Sequence, residues 1–285
     1  VTGAIRDQVR RLNRMNGPAE MVPEWALGPW MSSNNWDSEA EVRKQVELTK
    51  VHGIPATVLV IEAWSDEATF YIFNDATYEE KEDGGVFTYS DFNFPKWGRW
   101  PDPKGMMEYL HDNDLKCILW QIPVIKHISS LQHLQKRMDE AYFLKNGFGV
   151  SHPNGEAYRM PEGWFKDSLL MDFSNEAAKE WWFGQRQYLI DDLKVDGFKT
   201  DGGEFVFGYD LKFADGRTGR EMRNAYPNDY VESYYRFAQQ NGGITFSRAG
   251  YTGAQRFPAH WAGDERSTFG AFRRSLLAGL SAGLS

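Results

Sequence analysis

Apolar positions along the chain follow two alternating patterns. Short runs of neighbouring apolar residues give way to stretches in which apolar side chains return every three to four positions, the signatures of buried strands and one-sided helices. Residues 25–30 read as a first strand. A helix follows, opened by the capping pair Ser38 and Glu41 and closed near Gly53 and Pro55. The uninterrupted apolar run 56–61 (ATVLVI) predicts a strand covered on both faces. Asp102 and Pro103 start a helix carrying Met106, Met107 and Leu110, and 116–122 is the next strand. Ser174 is expected to cap a longer helix to about residue 193, packed through Ala178, Trp181, Trp182 and Leu189. A fourth strand spans 197–201. The helix 227–241 (Val231, Tyr234, Tyr235, Ala238) ends at Gly242 and Gly243, and a fifth strand starts at 244–246. A sixth short strand fits 259–262, and the last helix carries Phe272, Leu276, Leu280 and Leu284.

Strands alternating with helices predict an α/β fold with a parallel sheet. A doubly wound sheet and a (β/α)8 TIM barrel both satisfy that alternation. The long polar segments 62–101, 123–172, 202–226 and 264–267 each follow a strand, which favours the barrel, whose catalytic face is built from such loops. About six strand–helix units are visible in 285 residues. Six units leave two sheet edges open, so the barrel is expected to be truncated. The whole of 1–285 is read as one catalytic barrel domain excerpted from a larger multidomain protein, and Val1 as lying downstream of the native start.

Composition narrows the function classes. A net charge of −8 argues against a nucleic-acid partner, which would need a basic surface. No apolar stretch approaches the ~20 residues that span a bilayer, so no membrane partner is expected. Cys117 stands alone and forms no intrachain disulfide, which is compatible with a cytoplasmic or a secreted setting. The 11 Trp, 13 Tyr and 19 Phe permit sugar stacking, although for any one Trp a buried core position is the favoured reading. The six histidines show no metal-ligand spacing, so neither a metal nor a cofactor is expected; His127 and His133 read as solvent-facing.

The stretch 195–204 (VDGFKTDGGE) carries the sharpest chemical signal. Residues two apart on a strand share a face, so Lys199 and Asp201 point one way while Phe198 and Thr200 turn towards the helices. An Asp at the C-terminal end of a barrel strand sits where catalytic groups belong, and Gly202 and Gly203 leave its approach uncrowded. The competing reading is an ion pair that closes the barrel. In the stretch 246–264 (FSRAGYTGAQRFPAHWAGD), Arg248 emerges at a strand end and Asp264 follows Trp261. An aromatic wall beside a carboxyl raises its pKa, which suits a proton donor; a helix N-cap before 267–280 is the alternative for Asp264.

Both stretches resemble the signatures of glycoside hydrolase family 31, which includes α-glucosidases, α-xylosidases and related transglycosylases. The resemblance spans roughly residues 10–285, with further matches at 25–28 (WALG) and 172–175 (DFSN) before Trp181 and Trp182. It implies Asp201 as nucleophile and Asp264 as acid/base. It also implies Arg248 and Trp261 beside the sugar at the scissile bond. Glu62, where many members carry Asp, joins Trp64, Trp120 and Lys199 as expected substrate-binding residues. Gly202, where a bulky residue is common, is the second departure, and both bear on which sugar and linkage are taken.

The implied activity is retaining hydrolysis of α-linked gluco-oligosaccharides or related α-glycosides by double displacement. Alternatives are α-transglycosylation with the same residues, or a non-catalytic carbohydrate-binding barrel. The expected partners are an oligosaccharide or small α-glycoside and other domains of the same polypeptide. Nicotinamide-dependent cleavage is disfavoured by the absence of a Gly-x-Gly-x-x-Gly loop.

Overall fold

The computed structural model describes residues 3–129 and 133–282. Helix α1 (Ile5–Asn16) precedes strand β1 (Trp30–Ser33), followed by α2 (Glu39–Val51), β2 (Val58–Ile61), α3 (Pro103–Asp112) and β3 (Lys116–Gln121). The next segment holds a hairpin of β4 (Val124–Ile125) and β5 (Leu169–Leu170), with α4 (Leu134–Lys145) between its arms. Helices α5 (Glu176–Gly184) and α6 (Gln187–Asp191) lead to β6 (Gly197–Thr200), α7 (Gly219–Ala238) leads to β7 (Ile244–Ser247), and α8 (Phe269–Ala282) follows.

The five main strands form one parallel sheet in the order β1-β2-β3-β6-β7. The expected sixth strand survives as a parallel bridge of Ser247 with His260, flanked by hydrogen bonds from Ala259 N to Thr245 O and Trp261 N to Ser247 O. The chain is therefore a partial (β/α) barrel. Alternation along each strand sorts its side chains. Val58, Val60, Ile118 and Ile244 form the inner cluster, closed by Trp25, Trp30 and Phe246. Phe198 turns outward onto Tyr234 and Phe237 of α7, with ring centres 5.6 and 5.4 Å away. Each such buried side chain contributes ~1.5–3 kcal/mol.

Several elements differ from the pattern-based expectation. The first strand starts at Trp30, because residues Glu24–Leu27 form a 3-10 turn and Trp30 Nε1 donates to Ala26 O. The helix expected from Ser174 is capped by Asn175, whose side chain accepts from Ala178 N, while Ser174 Oγ donates to Asp172. That helix breaks after Gly184. Arg186 Nη1 occupies the Trp182 carbonyl, and Arg186 N tightens to Phe183 O, so the ordinary i to i−4 ladder is interrupted. Helix α7 begins eight residues before Pro227, at a Thr218–Glu221 capping box, and carries Pro227 inside it. In α8, Leu284 lies outside the described residues.

Candidate active site

The inward alternation of four neighbouring strands ends at one mouth. Glu62 follows β2, Trp120 lies near the end of β3, Asp201 follows β6 and Arg248 follows β7. These are the C-terminal ends of parallel strands, where a barrel gathers its functional groups. Glu62, Trp120, Lys199, Asp201, Arg248 and Asp264 line one cleft of about 870 Å³.

Asp201 is 7% exposed and tightly held. Trp120 Nε1 donates to its Oδ2 at 2.8 Å, and Gly202 N donates to its Oδ1 at 2.8 Å. The Asp201 backbone N donates to Gln121 O, and the Tyr230 hydroxyl lies 3.3 Å from both the Gln121 and Asp201 carbonyls. Gly202 is required for more than open approach. Its φ is 69°, in the left-handed region, and a Cβ there would come within 2.6 Å of the Phe205 ring.

Lys199 shares the cleft but does not pair with Asp201. Its Nζ donates to Glu62 Oε1 at 2.7 Å, an oxygen that also accepts from Ser32 Oγ at 2.8 Å. The same ammonium sits 4.6 Å over the Trp261 ring, which packs on Phe246 at 5.0 Å. Trp261 is partly exposed and touches the cleft through Lys199, which does line it. Trp64 is a clearer correction. It is fully buried, donates from its indole to Trp120 O at 2.9 Å and packs edge-on against Phe73. Its place is in the floor that supports Trp120, with no surface for a sugar.

Arg248 bridges the acidic groups. Its Nε donates to Glu204 Oε1 at 3.0 Å, and its Nη1 stands 3.4 Å from Asp201 Oδ1 and 3.6 Å from Asp264 Oδ2. Burial works against its charge, but Glu204, Asp201 and Asp264 outweigh that and raise its pKa. The two aspartate oxygens are no further apart than the sum of the last two distances. That bound admits the ~5–5.5 Å separation used by retaining glycosidases. Asp264 follows Gly263, whose φ is 99°, and its side chain is 82% exposed, so the expected apolar wall does not enclose it. Nor does it cap α8, where the first turn is held by Ala271 N donating to Thr268 Oγ1.

The cleft also contains residues that the chain's patterning left unmarked: Asn34, Glu67, Phe70, Lys126, Trp164 and Phe165. They lie on irregular segments with no periodic signal; only the run of aromatics could have drawn attention to them. His127 is exposed as expected, whereas His133 is half-buried and 3.4 Å from Asp66, whose hydrogen bond raises the histidine pKa. Among the described residues, no group of three or more His, Cys, Asp or Glu side chains is arranged to hold a metal ion. Among the same residues, no helix is long and apolar enough to cross a membrane.

Residues 19–285 match the model of the glycosyl hydrolases family 31 TIM-barrel domain. The chain is 46% identical over 284 residues to an isomaltosyltransferase of Sporosarcina globispora, covering 99% of this chain and 26% of that protein. It is 42% identical over 268 residues to a 1,3-alpha-isomaltosidase of Kribbella flavida, covering 93% of this chain and 37% of that one. Among solved structures, the cycloalternan-degrading enzyme from Trueperella pyogenes in complex with a covalent intermediate superposes with a TM-score of 0.94 at 42% identity, over 99% of this chain and 38% of that one. The chain therefore spans between a quarter and two fifths of these relatives.

Proposed function

The chain belongs to glycoside hydrolase family 31, and from that premise we propose that it supplies the catalytic centre of a retaining enzyme acting on α-linked gluco-oligosaccharides. The observation that carries this reading is Asp201 and Asp264 meeting at one guanidinium over the barrel mouth. Asp201 attacks the anomeric carbon from the face opposite the leaving oxygen. As the glycosidic C–O bond breaks, Asp264 gives its proton to that oxygen, leaving a glycosyl ester on Asp201. Asp264, now a carboxylate, takes a proton from an incoming hydroxyl, whose oxygen attacks the same carbon and releases Asp201. Two inversions keep the anomeric configuration.

Three donors, Trp120 Nε1, Gly202 N and Arg248 Nη1, point at the Asp201 oxygens and fix the direction in which the carboxylate faces the cleft. The Glu62–Lys199 pair sits across the mouth, offering an acceptor and a donor to sugar hydroxyls. The covalent intermediate in the Trueperella pyogenes relative supports the double displacement. The relatives named for isomaltosyl groups favour an α-1,6-linked glucose pair as the unit cleaved or moved.

Transfer to a sugar hydroxyl is the second reading. It uses the same residues and is favoured by the 46% identity to a transferase. This catalytic domain is read as working with further domains of one polypeptide. NMR of the first product released by the full-length protein tests the mechanism. The α-anomer is expected to appear before mutarotation, and an initial β-anomer would refute the covalent route.

A further inference from the structure

We infer that Trp164 is the platform of a second donor subsite, which grips the glucosyl unit next to the one attacked and makes a glucose pair the group transferred to Asp201. This deepens the reading under Proposed function and rests on it. Trp164 is 58% exposed, yet it stands in the cleft wall rather than on the open surface. Its ring lies 6.0 Å from Trp120 and 4.6 Å from Phe165, and Phe70 closes the group at 5.4 Å from Trp120. Phe70, Trp120 and Phe165 are buried and belong to the core, and Trp164 packs on them with its own ring open to the cleft, an apolar face on a firm backing inside a polar site.

The wall lies on the donor side. Strand β6, which carries Asp201, has β3 as one neighbour and β7 as the other. Arg248 and Asp264 approach Oδ1 from the β7 side, and the leaving group must sit there to receive the proton. Trp120 holds Oδ2 from the β3 side, and Trp164 stands beyond it. A sugar chain whose scissile oxygen faces Asp264 therefore runs its non-reducing end towards Trp164.

The chemistry fits a pyranose. The C–H face of a glucosyl ring covers an indole, while its edge presents hydroxyls. Beside the wall, Lys126 Nζ pairs with Glu67 Oε2 at 2.6 Å, and the Glu67 side chain is 85% exposed, so a donor and an acceptor stand at the ring's edge. The cleft volume of about 870 Å³ is near the upper end of small-ligand sites, with room for more than one hexose.

Calorimetry on the full-length protein carrying Asp201→Asn, which stops turnover, tests this with isomaltose and glucose as probes. Isomaltose should bind about tenfold more tightly than glucose, the size of effect expected when one large apolar face is covered. Trp164→Ala should erase that preference while leaving glucose affinity and melting temperature unchanged, and Trp164→Phe should keep part of it. An intact preference in Trp164→Ala, or none in the Trp164 protein, would overturn the subsite. Cleavage of an aryl α-isomaltoside by the protein with Asp201 intact is the separate control. A Trp164-dependent preference without cleavage would sink the enzymatic reading and leave the subsite standing.

Discussion

Asp201 and Asp264 meet at the same arginine, yet they are held by opposite kinds of structure. Asp201 leaves the end of a hydrogen-bonded strand, is 7% exposed, and has both carboxylate oxygens fixed by N–H donors. Asp264 sits on an irregular segment after a left-handed glycine, 82% exposed, with the Arg248 guanidinium 3.6 Å from its Oδ2. The difference matches the tasks proposed for them. A nucleophile must be aimed at one carbon to within a fraction of an ångström, which a rigid strand end provides. A proton donor that later becomes a base must serve a leaving sugar and then an incoming hydroxyl, and a looser mount accommodates both.

Removing the fixed carboxylate should have the largest effect. Asp201→Asn keeps the shape but abolishes the nucleophile, so kcat on a natural α-glucoside should fall by ~10⁴-fold or more in the full-length enzyme. A loss under tenfold in steady-state assays would break the comparison at its stronger end. Asp264→Ala should cost about 10²–10⁴-fold on the same substrate, the usual share of general acid–base catalysis. Its deficit should shrink on an aryl glycoside whose leaving group needs no proton, while that of Asp201→Asn should not. Equal losses on both substrates would remove Asp264 from the proton-donor role.

The same contrast explains which features are legible in the amino-acid sequence and which are not. Asp201, Lys199 and the outward Phe198 follow from two-residue alternation on a strand, a local rule that three-dimensional packing leaves intact. Arg248 obeys the same rule on β7. Trp64 misleads because a tryptophan near a barrel mouth has the same sequence appearance whether its indole meets a sugar or donates to Trp120 O. The pairing of Lys199 with Glu62, 137 residues away, is set by strand neighbours and has no local signature. Helix α4 is silent for a related reason: it buries Gln135, Lys136 and Asp139, so polar residues occupy the face where a periodicity search expects apolar ones. Only the family resemblance singles out Asp264 as a candidate, since local physics alone does not distinguish it from a helix cap.

A smaller effect probes the grip on Asp201. Trp120→Phe keeps an aromatic ring in the wall but deletes the N–H that holds Oδ2. A hydrogen bond to a charged group is worth ~1.5–3 kcal/mol, so kcat should fall by about 10- to 100-fold with little change in fold stability. A change confined to KM would mean that Trp120 serves sugar binding and leaves the nucleophile's orientation to Gly202 and Arg248.

The smallest effect concerns a buried carboxylate whose partners include no direct cation. Asp139 accepts from the Tyr71 hydroxyl at 2.7 Å and Gln135 Nε2 at 2.8 Å, beneath the segment that forms the cleft wall. Burial pushes its pKa up to about 6, against the pull of those two donors and of the nearby Arg186; Asp66 adds to the rise. A folded-state pKa above the unfolded value means that the native protein holds the proton more tightly. The resulting stabilisation is fully present below the unfolded pKa of ~3.9, declines as pH rises, and is lost once pH passes about 6. Asp139→Asn keeps an acceptor oxygen and cannot ionise. Its melting temperature should therefore decline less than that of the parent between pH 4 and pH 6.5, while kcat at pH 7 stays within about twofold. Parallel melting curves for the two proteins across that range would show that Asp139 stays charged in the fold, its two neutral donors being enough to offset burial.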